Sequence, residues 1–188
     1  FVVAEALRRG IEPEEINRIT RIDLFFIYKI QNIIKMERRL LKEGLTEDTL
    51  KAAKRIQMPD EAIAHFAEVT VKEVENFKKK LAFHPDFKMV DTCAAEFEAH
   101  TPYYYSTYGA EDEVKPQGKG SVVVFGSGPI RIGQGIEFDY CSVHSVWAFR
   151  RMGYETIIIN NNPETVSTDF DVADKLYFEP LTAEDVQN

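Results

Sequence analysis

The sequence predicts two parts in series, an all-α helical domain followed by a truncated α/β domain with a Rossmann-like parallel sheet. Three observations predict this order. Residues 1–82 place apolar side chains at helical spacing, between residues that begin and end helices. Residues 109–120 are polar and contain glycine and proline, as linkers often do. From Ser121 onward, short apolar runs alternate with a helical pattern, which is typical of a β-α-β unit.

The helical part is predicted to hold several short helices around one long helix. The long helix spans about residues 23–43, and Gly44 supplies the residue that ends it. Around residues 24–28 this helix is apolar on nearly every side, so we expect that end to be buried by its own domain or by a partner. The shorter helices are predicted at residues 2–9, 14–19, 47–58, 61–68 and 71–81.

Residues 83–120 show no clear period. Four tyrosines lie within six positions, at 103, 104, 105 and 108, and aromatic rings of this kind can stack on bases. No lysine or arginine lies between Lys88 and Lys115 to hold a nucleic-acid backbone, so we expect these rings to pack against the neighbouring domain. The predicted boundaries are residues 1–113 for the helical domain, 114–120 for the linker and 121–188 for the α/β domain.

The α/β part is predicted to begin a parallel sheet. Its strands are expected at residues 122–125, 156–159 and 175–178, with a helix over residues 142–152 that ends at Gly153. The chain starts without methionine inside a predicted helix and stops inside another, so we interpret it as a piece of a longer protein.

Composition and charge narrow the function classes. Of the 188 residues, 44% are hydrophobic and 29% charged, as in ordinary globular proteins. No apolar run approaches the roughly 18 residues of a membrane span, and no basic stripe accompanies the net charge of −8, so neither a membrane nor a nucleic acid is a predicted partner. Two cysteines far apart, Cys93 and Cys141, indicate reduced thiols in a cytoplasmic protein.

The stretch GSGPIRIGQGIEFDY at residues 126–140 lies between a predicted strand and a predicted helix, where backbone N–H groups can meet a ligand. Gly126 and Gly128 fit the dinucleotide fingerprint, but its third glycine position is Arg131. The second strand ends in NNNP, with no carboxylate before Glu164 to hold a ribose. NAD binding is therefore not predicted, and a nucleotide-binding module remains the alternative function. Asp139, near the predicted start of the helix, is explained by the helix dipole alone.

The same stretch resembles the large subunit of carbamoyl phosphate synthetase, and three further stretches resemble it too. These are NNNPETVSTDFDVADKLYFEP at 160–180, KMVDTCAAEFEAHTPYYYSTY at 88–108 and EALRRGIE at 5–12. The resemblance implies that residues 1 to about 113 are the helical oligomerisation domain. It implies that residues from about 121 open the second, carbamoyl-phosphate-forming half, as a Rossmann-like pre-ATP-grasp domain that binds no nucleotide itself.

The resemblance also implies an activity for the parent enzyme. Such a synthetase is an ATP-dependent ligase that makes carbamoyl phosphate from bicarbonate, two ATP and ammonia, for pyrimidine and arginine synthesis. A glutaminase subunit releases the ammonia from glutamine, and the parent enzyme uses ATP, Mg (or Mn) and K. For this segment the resemblance implies no bound cofactor, no catalytic residue and no activity alone. Its implied partners are other copies of the large subunit, through the helical domain.

In that family the glycine-rich turn lies beside an internal tunnel for carbamate. The resemblance implies that Gly135, Glu137 and Arg131 line the tunnel. Glycine at 135 would leave room for a small planar anion, and the Glu137 side chain could hydrogen-bond to it. For Arg131, a structural ion pair with acidic surroundings is an equal alternative.

Overall fold

The structure, a computed structural model, describes residues 1–109, 111–115, 120–129, 131–135 and 137–188. The chain divides into two compact units, residues 1–83 and 84–188. The sequence alone predicts this division after residue 113, because residues 83–120 lack a period. The structure instead places residues 84–107 with the second unit, because they form strands that hydrogen-bond into its sheet.

The first unit is entirely helical, as predicted. Its long helix packs against the helices before it through one apolar cluster, which includes Leu7, Ile16 and Ile27, and against the later helices through a second, which includes Leu40 and Leu50. The six helices are α1 (Val2–Arg8), α2 (Pro13–Thr20), α3 (Leu24–Glu43), α4 (Glu47–Arg55), α5 (Asp60–Phe66) and α6 (Val71–Lys80).

The amino-terminal end of α3 is apolar around its circumference but is buried on one side only. Ile27 is fully buried, whereas Phe25 and Phe26 are 58% and 60% exposed. The two exposed rings meet edge to face, and Lys29 Nζ lies 5.2 Å from the centre of the Phe25 ring. The helical unit itself therefore covers only part of this apolar end.

A buried ionic cluster joins α4, α5 and α6. Lys54 Nζ and Lys78 Nζ each lie 2.5 Å from a different carboxylate oxygen of Asp60. Burial alone would raise the pKa of Asp60, but hydrogen bonds from the two lysines outweigh it and the pKa lies below its usual value. Asp60 is 3% exposed, so its charge depends on these two partners.

The second unit contains a five-stranded sheet in the order β1-β2-β5-β4-β3 among the described residues. Strands β2, β5, β4 and β3 run parallel to one another, and β1 pairs antiparallel with β2 at one edge of the sheet. The strands are β1 (Asp86–Met89), β2 (Tyr103–Thr107), β3 (Ser121–Phe125), β4 (Glu155–Asn160) and β5 (Lys175–Phe178). The predicted parallel sheet is confirmed, with two strands more than expected.

One helix and one short 3₁₀ turn connect the consecutive parallel strands from β3 to β5. Helix α7 (Glu137–Arg151) links β3 to β4 and packs Val143 and Val146 against Ile158 and Leu176 of the sheet. A 3₁₀ turn, Val166–Thr168, lies between β4 and β5, and α8 (Ala183–Gln187) follows β5. Within the described part of the chain, no helix is long and apolar enough to cross a membrane.

The tyrosine-rich segment forms β2. Tyr104 stacks on Tyr177 with ring centres 5.4 Å apart, and Tyr103 lies 5.4 Å from Phe178. Both tyrosines are half-buried although they point to opposite faces of the sheet. A strand covered on both faces lacks the alternation that identifies a strand in a sequence. Tyr103 and Tyr104 therefore pack within the sheet of their own unit, whereas the sequence predicted packing against a neighbouring domain.

Candidate functional site

The glycine-rich turn joins β3 to α7 at the edge of the sheet where the parallel strands end. Within this turn the structure describes residues 126–129 and 131–135. The segment after β4, residues 160–168, leaves the same edge because β3 and β4 are parallel neighbours. Two of the stretches that carry the family resemblance therefore meet here, at the usual ligand-binding edge of an α/β sheet.

Gly126 begins the turn and packs against Asn160. Its backbone N–H donates to the carbonyl oxygen of Ile159 at 2.8 Å. A β-carbon at Gly126 would lie 2.5 Å from Asn160 Nδ2 and 2.8 Å from Asn160 Cβ, and Asn160 is fully buried. Glycine at this position is thus explained by close packing, without a bound phosphate.

The side chain of Glu137 lies directly beside Gly135. Glu137 is the first residue of α7, and its carboxylate folds back against Gly135. A β-carbon at 135 would lie 2.9 Å from both Cδ and Oε1 of Glu137. A carboxylate in the first turn of a helix is stabilised by the N–H groups there. Because Gly135 lacks a side chain, the Glu137 carboxylate can occupy this position.

Arg131 forms a small turn with Gln134. The Arg131 backbone N–H donates to Gln134 Oε1 at 3.0 Å, and the Gln134 N–H donates to the Arg131 carbonyl oxygen at 3.0 Å. The residue is exposed. Among the described residues, no carboxylate, that of Glu137 included, forms an ion pair with its guanidinium. The ion pair that was the alternative for Arg131 is therefore not formed with any described residue.

Asp139, which the sequence explained by the helix dipole alone, is buried and connects two segments. It is 2% exposed, and its Oδ2 accepts hydrogen bonds from Thr165 Oγ1 at 2.7 Å and from the Ser167 backbone N–H at 2.6 Å. Its Oδ1 is buried without a hydrogen-bond partner among the described residues. Local spacing could not reveal this role, because the partners lie 26 and 28 positions away in the sequence.

Ser167 is where contacts from both motif stretches converge. Its backbone N–H donates to Asp139, and its Oγ accepts from Asn160 Nδ2 at 3.4 Å. Asn160 also accepts from the Asn162 backbone N–H at 3.3 Å while it packs against Gly126. One continuous series of contacts therefore runs from the start of the glycine turn, through the buried end of β4 and the 3₁₀ turn, to the first turn of α7.

The chemistry available at this edge is hydrogen bonding. Glu137 presents an exposed carboxylate, and the neighbouring groups are amides, hydroxyls and backbone N–H groups that hold one another. Across the described residues, no group of three or more histidine, cysteine, aspartate or glutamate side chains could hold a metal ion. The arrangement can accept hydrogen bonds from a small polar molecule and orient it.

Two other buried carboxylates hold strands together. Glu155 pairs with Lys175 at 2.9 Å; burial alone would raise the pKa of Glu155, but hydrogen bonds from Lys175 and Ser121 outweigh it and lower the pKa. Glu179, after β5, accepts hydrogen bonds from the backbone N–H and the hydroxyl of Ser106. Burial raises the pKa of Glu179 despite these bonds. Glu179 therefore joins β2 to the end of β5.

Two family models match the chain, one for each unit. The oligomerisation domain of the carbamoyl-phosphate synthetase large chain matches residues 1–82, and the carbamoyl phosphate synthase preATP-grasp domain matches residues 118–188. The first match ends one residue before the end of the helical unit. The sequence matches and the structure thus agree on where the helical unit ends.

Curated relatives match the chain along its whole length. Proteins named carbamoyl phosphate synthase large chain are 62% identical in Lachnoclostridium phytofermentans, 59% in Agathobacter rectalis and 57% in Methanothrix thermoacetophila. Each match covers 100% of this chain but only 17–18% of the relative, so the chain spans less than a fifth of their length. Two domain models of the carbamoyl phosphate synthase large chain match the chain one after the other, and the relatives named above are 57–62% identical to it. The chain therefore belongs to the carbamoyl phosphate synthase large-chain family.

Proposed function

We propose that the chain is part of an ATP-dependent ligase that forms carbamoyl phosphate from bicarbonate, two ATP and ammonia released from glutamine. The observation that carries this proposal is the 62% identity, over the whole chain, to a carbamoyl phosphate synthase large chain. Within such an enzyme this segment supplies contacts between subunits and part of the wall of a carbamate passage. The parent enzyme serves pyrimidine and arginine synthesis in the cytoplasm.

The proposed passage wall is the edge formed by Gly135 and Glu137, with Arg131 in the same turn. The absence of a side chain at 135 and the exposed carboxylate folded over it support this assignment. Carbamate has N–H groups, and a carboxylate can accept hydrogen bonds from them. Arg131 offers a positive charge that no carboxylate of the described residues pairs with, and this charge would attract the carbamate anion.

Replacing Gly135 with leucine in the complete enzyme tests the passage. The bulky side chain is expected to block glutamine-dependent carbamoyl phosphate formation while ATP use by the first half continues. The measurement is carbamoyl phosphate formed per ATP hydrolysed. Gly120→Ala is the control, because a β-carbon there would make an ordinary 3.5 Å contact with Tyr154. Normal synthesis by Gly135→Leu would show that the turn serves packing only.

The second proposed role is self-association of the large chain through the helical unit. The match of residues 1–82 to an oligomerisation domain supports it. Phe25, Lys29 and Ile33 follow one another on one face of α3, and Phe25, Phe26 and Ile33 are all more than 40% exposed. Sedimentation velocity of the 188-residue chain over a range of concentrations tests this, and a monomer at every concentration would contradict it.

The remaining partners and cofactors belong to the parent enzyme in this proposal. They are a glutaminase subunit or domain, ATP, Mg or Mn, and K, and the segment itself binds none of these cofactors and has no activity alone. Gly126 packs against Asn160, which supports a structural reason for the first glycine of the turn. Calorimetric titration of the chain with ATP, NAD and NADP tests the point. Micromolar affinity would favour a nucleotide-binding module instead.

A further inference from the structure

Among the described residues, the side-chain hydrogen bonds from the first turn of α7 to the segment of the 3₁₀ turn are made by one residue, Asp139. Asp139 Oδ2 accepts from Thr165 Oγ1 at 2.7 Å and from the Ser167 backbone N–H at 2.6 Å. Hydrogen bonds to an ionised carboxylate are about twice as strong as those between neutral groups. One oxygen atom therefore carries both bonds between two segments that are far apart in sequence.

The segment that Asp139 holds is a compact turn of its own. Thr168 Oγ1 donates to the Thr165 carbonyl oxygen at 2.8 Å and accepts from the Thr165 backbone N–H at 3.3 Å. The Thr168 backbone N–H also donates to the Thr165 carbonyl oxygen at 3.1 Å. Because the turn closes on itself, it docks as a unit, and the two bonds to Asp139 set its place against α7.

Asp139 is also costly where it lies. It is 2% exposed, and its second oxygen has no hydrogen-bond partner among the described residues. A buried polar atom left unpaired opposes folding, so stability alone does not account for an aspartate at this position. The Asp139 carboxylate instead provides one oxygen atom that accepts hydrogen bonds from two donors.

We infer that Asp139 is a positioning residue, which holds the 165–168 turn against α7 and thereby fixes where the Glu137 carboxylate lies over Gly135. Glu137 and Asp139 share the first turn of α7, so a shift of that turn relative to its neighbours moves both carboxylates. The inference rests on the proposed carbamate passage, because it assigns Asp139 the task of keeping the passage wall at Gly135 and Glu137 in place.

Hydrogen exchange of the 188-residue chain tests the attachment directly. In Asp139→Ala, protection of the Ser167 backbone amide is expected to fall by roughly tenfold to a hundredfold, the range for losing a bond to a charged acceptor. Asp139→Asn keeps a carbonyl oxygen that can accept both donors in neutral hydrogen bonds, so it should lose clearly less of that protection than Asp139→Ala. The control is Asp171→Ala, which removes an exposed carboxylate from the same unit. Unchanged exchange in Asp139→Ala, or equal loss in Asp139→Asn, would overturn the inference.

The complete enzyme separates this inference from the passage itself. In Asp139→Ala we expect less carbamoyl phosphate per ATP hydrolysed, and in Asp139→Asn a ratio close to that of the unaltered enzyme. General loss of stability would lower product and ATP use together and leave the ratio unchanged. Faster exchange at Ser167 with an unchanged ratio would uphold the attachment but overturn its role in placing Glu137, and the passage itself stands or falls with Gly135→Leu. Unchanged exchange would overturn the attachment whatever the ratio.

Discussion

The carboxylate of Glu137 lies against the α-carbon of Gly135, in the space that a β-carbon at that position would need. The obstructing atoms are the end of a flexible side chain, so Gly135→Ala is expected to displace the carboxylate and leave the fold intact. Gly135→Ala therefore tests where the Glu137 carboxylate must lie, whereas Gly135→Leu tests the width of the passage.

A double-mutant cycle in the complete enzyme tests this coupling. Gly135→Ala and Glu137→Ala should each lower carbamoyl phosphate formed per ATP hydrolysed by about tenfold, or about 1.4 kcal/mol. Since both remove the carboxylate from one place, the double variant should be little worse than either single variant. Additive losses would mean that Gly135 acts without Glu137, and Gly120→Ala supplies the control for an added methyl group.

Gly126→Ala should destabilise the second unit. Its β-carbon would overlap Asn160, which is fully buried and cannot move aside as Glu137 can. Overpacking of this kind costs about 1–3 kcal/mol of the free energy of unfolding. Trp147 is the chain's single tryptophan and lies in α7, so its fluorescence during urea unfolding reports on this unit. A loss no larger than that of Gly120→Ala would contradict the packing explanation.

Asp60→Ala should destabilise the helical unit, because it leaves the buried ammonium groups of Lys54 and Lys78 without their shared carboxylate. Breaking a buried ion pair costs about 3–5 kcal/mol. Urea unfolding followed by circular dichroism at 222 nm measures the loss. Glu61→Ala, which removes an exposed carboxylate from the same helix, is the control and should change little.

The same cluster predicts a pH dependence. Its two lysines hold the pKa of Asp60 below the ordinary value of 3.8 against the opposing effect of burial. A lowered folded-state pKa means that the stabilisation is complete above 3.8 and is lost as the pH falls through the folded-state value. The helical unit should therefore lose stability in acid, and Asp60→Ala should show less of this loss. Equal acid sensitivity in both proteins would contradict the assignment.

Phe25 and Phe26 should matter for association more than for folding. Replacing both with serine is expected to weaken self-association, measured by sedimentation velocity, and to change the free energy of unfolding by no more than about 0.5 kcal/mol at each exposed site. The neighbouring Ile27→Ala should behave in the opposite way and cost about 2–5 kcal/mol, because Ile27 is fully buried. Unaltered association of the double serine variant would place the contact elsewhere.

The elements that the sequence predicted correctly are those that local patterns determine. The long helix follows from apolar spacing and from Gly44, and the β-α-β unit follows from apolar runs on either side of α7. Strand β2 was missed because it pairs with β5, about seventy positions later, and because its residues do not alternate between buried and exposed. Periodicity within a short window contains no information about such a partner.

In the candidate site, too, contacts between residues close in sequence could be predicted and contacts between distant residues could not. Gly135 and Glu137 are two positions apart, so their proximity could be expected from the sequence. Asp139 could not be placed, because its partners belong to a separate segment and an aspartate at a helix start has a sufficient local explanation. One signal in the sequence could have linked Asp139 to Thr165: the stretch that contains each of them resembles the same family.

The place of β1 and β2 in the sheet also determines where the two units can be separated by genetic engineering. A division between residues 113 and 114 would remove both strands from the second unit and uncover the backbone hydrogen-bonding groups of β5. Glu179 would then lose Ser106 and remain without its two donors. Expression plasmids for the separate units should therefore divide the coding sequence after the codon for Phe83, which leaves each apolar core with all of its strands or helices.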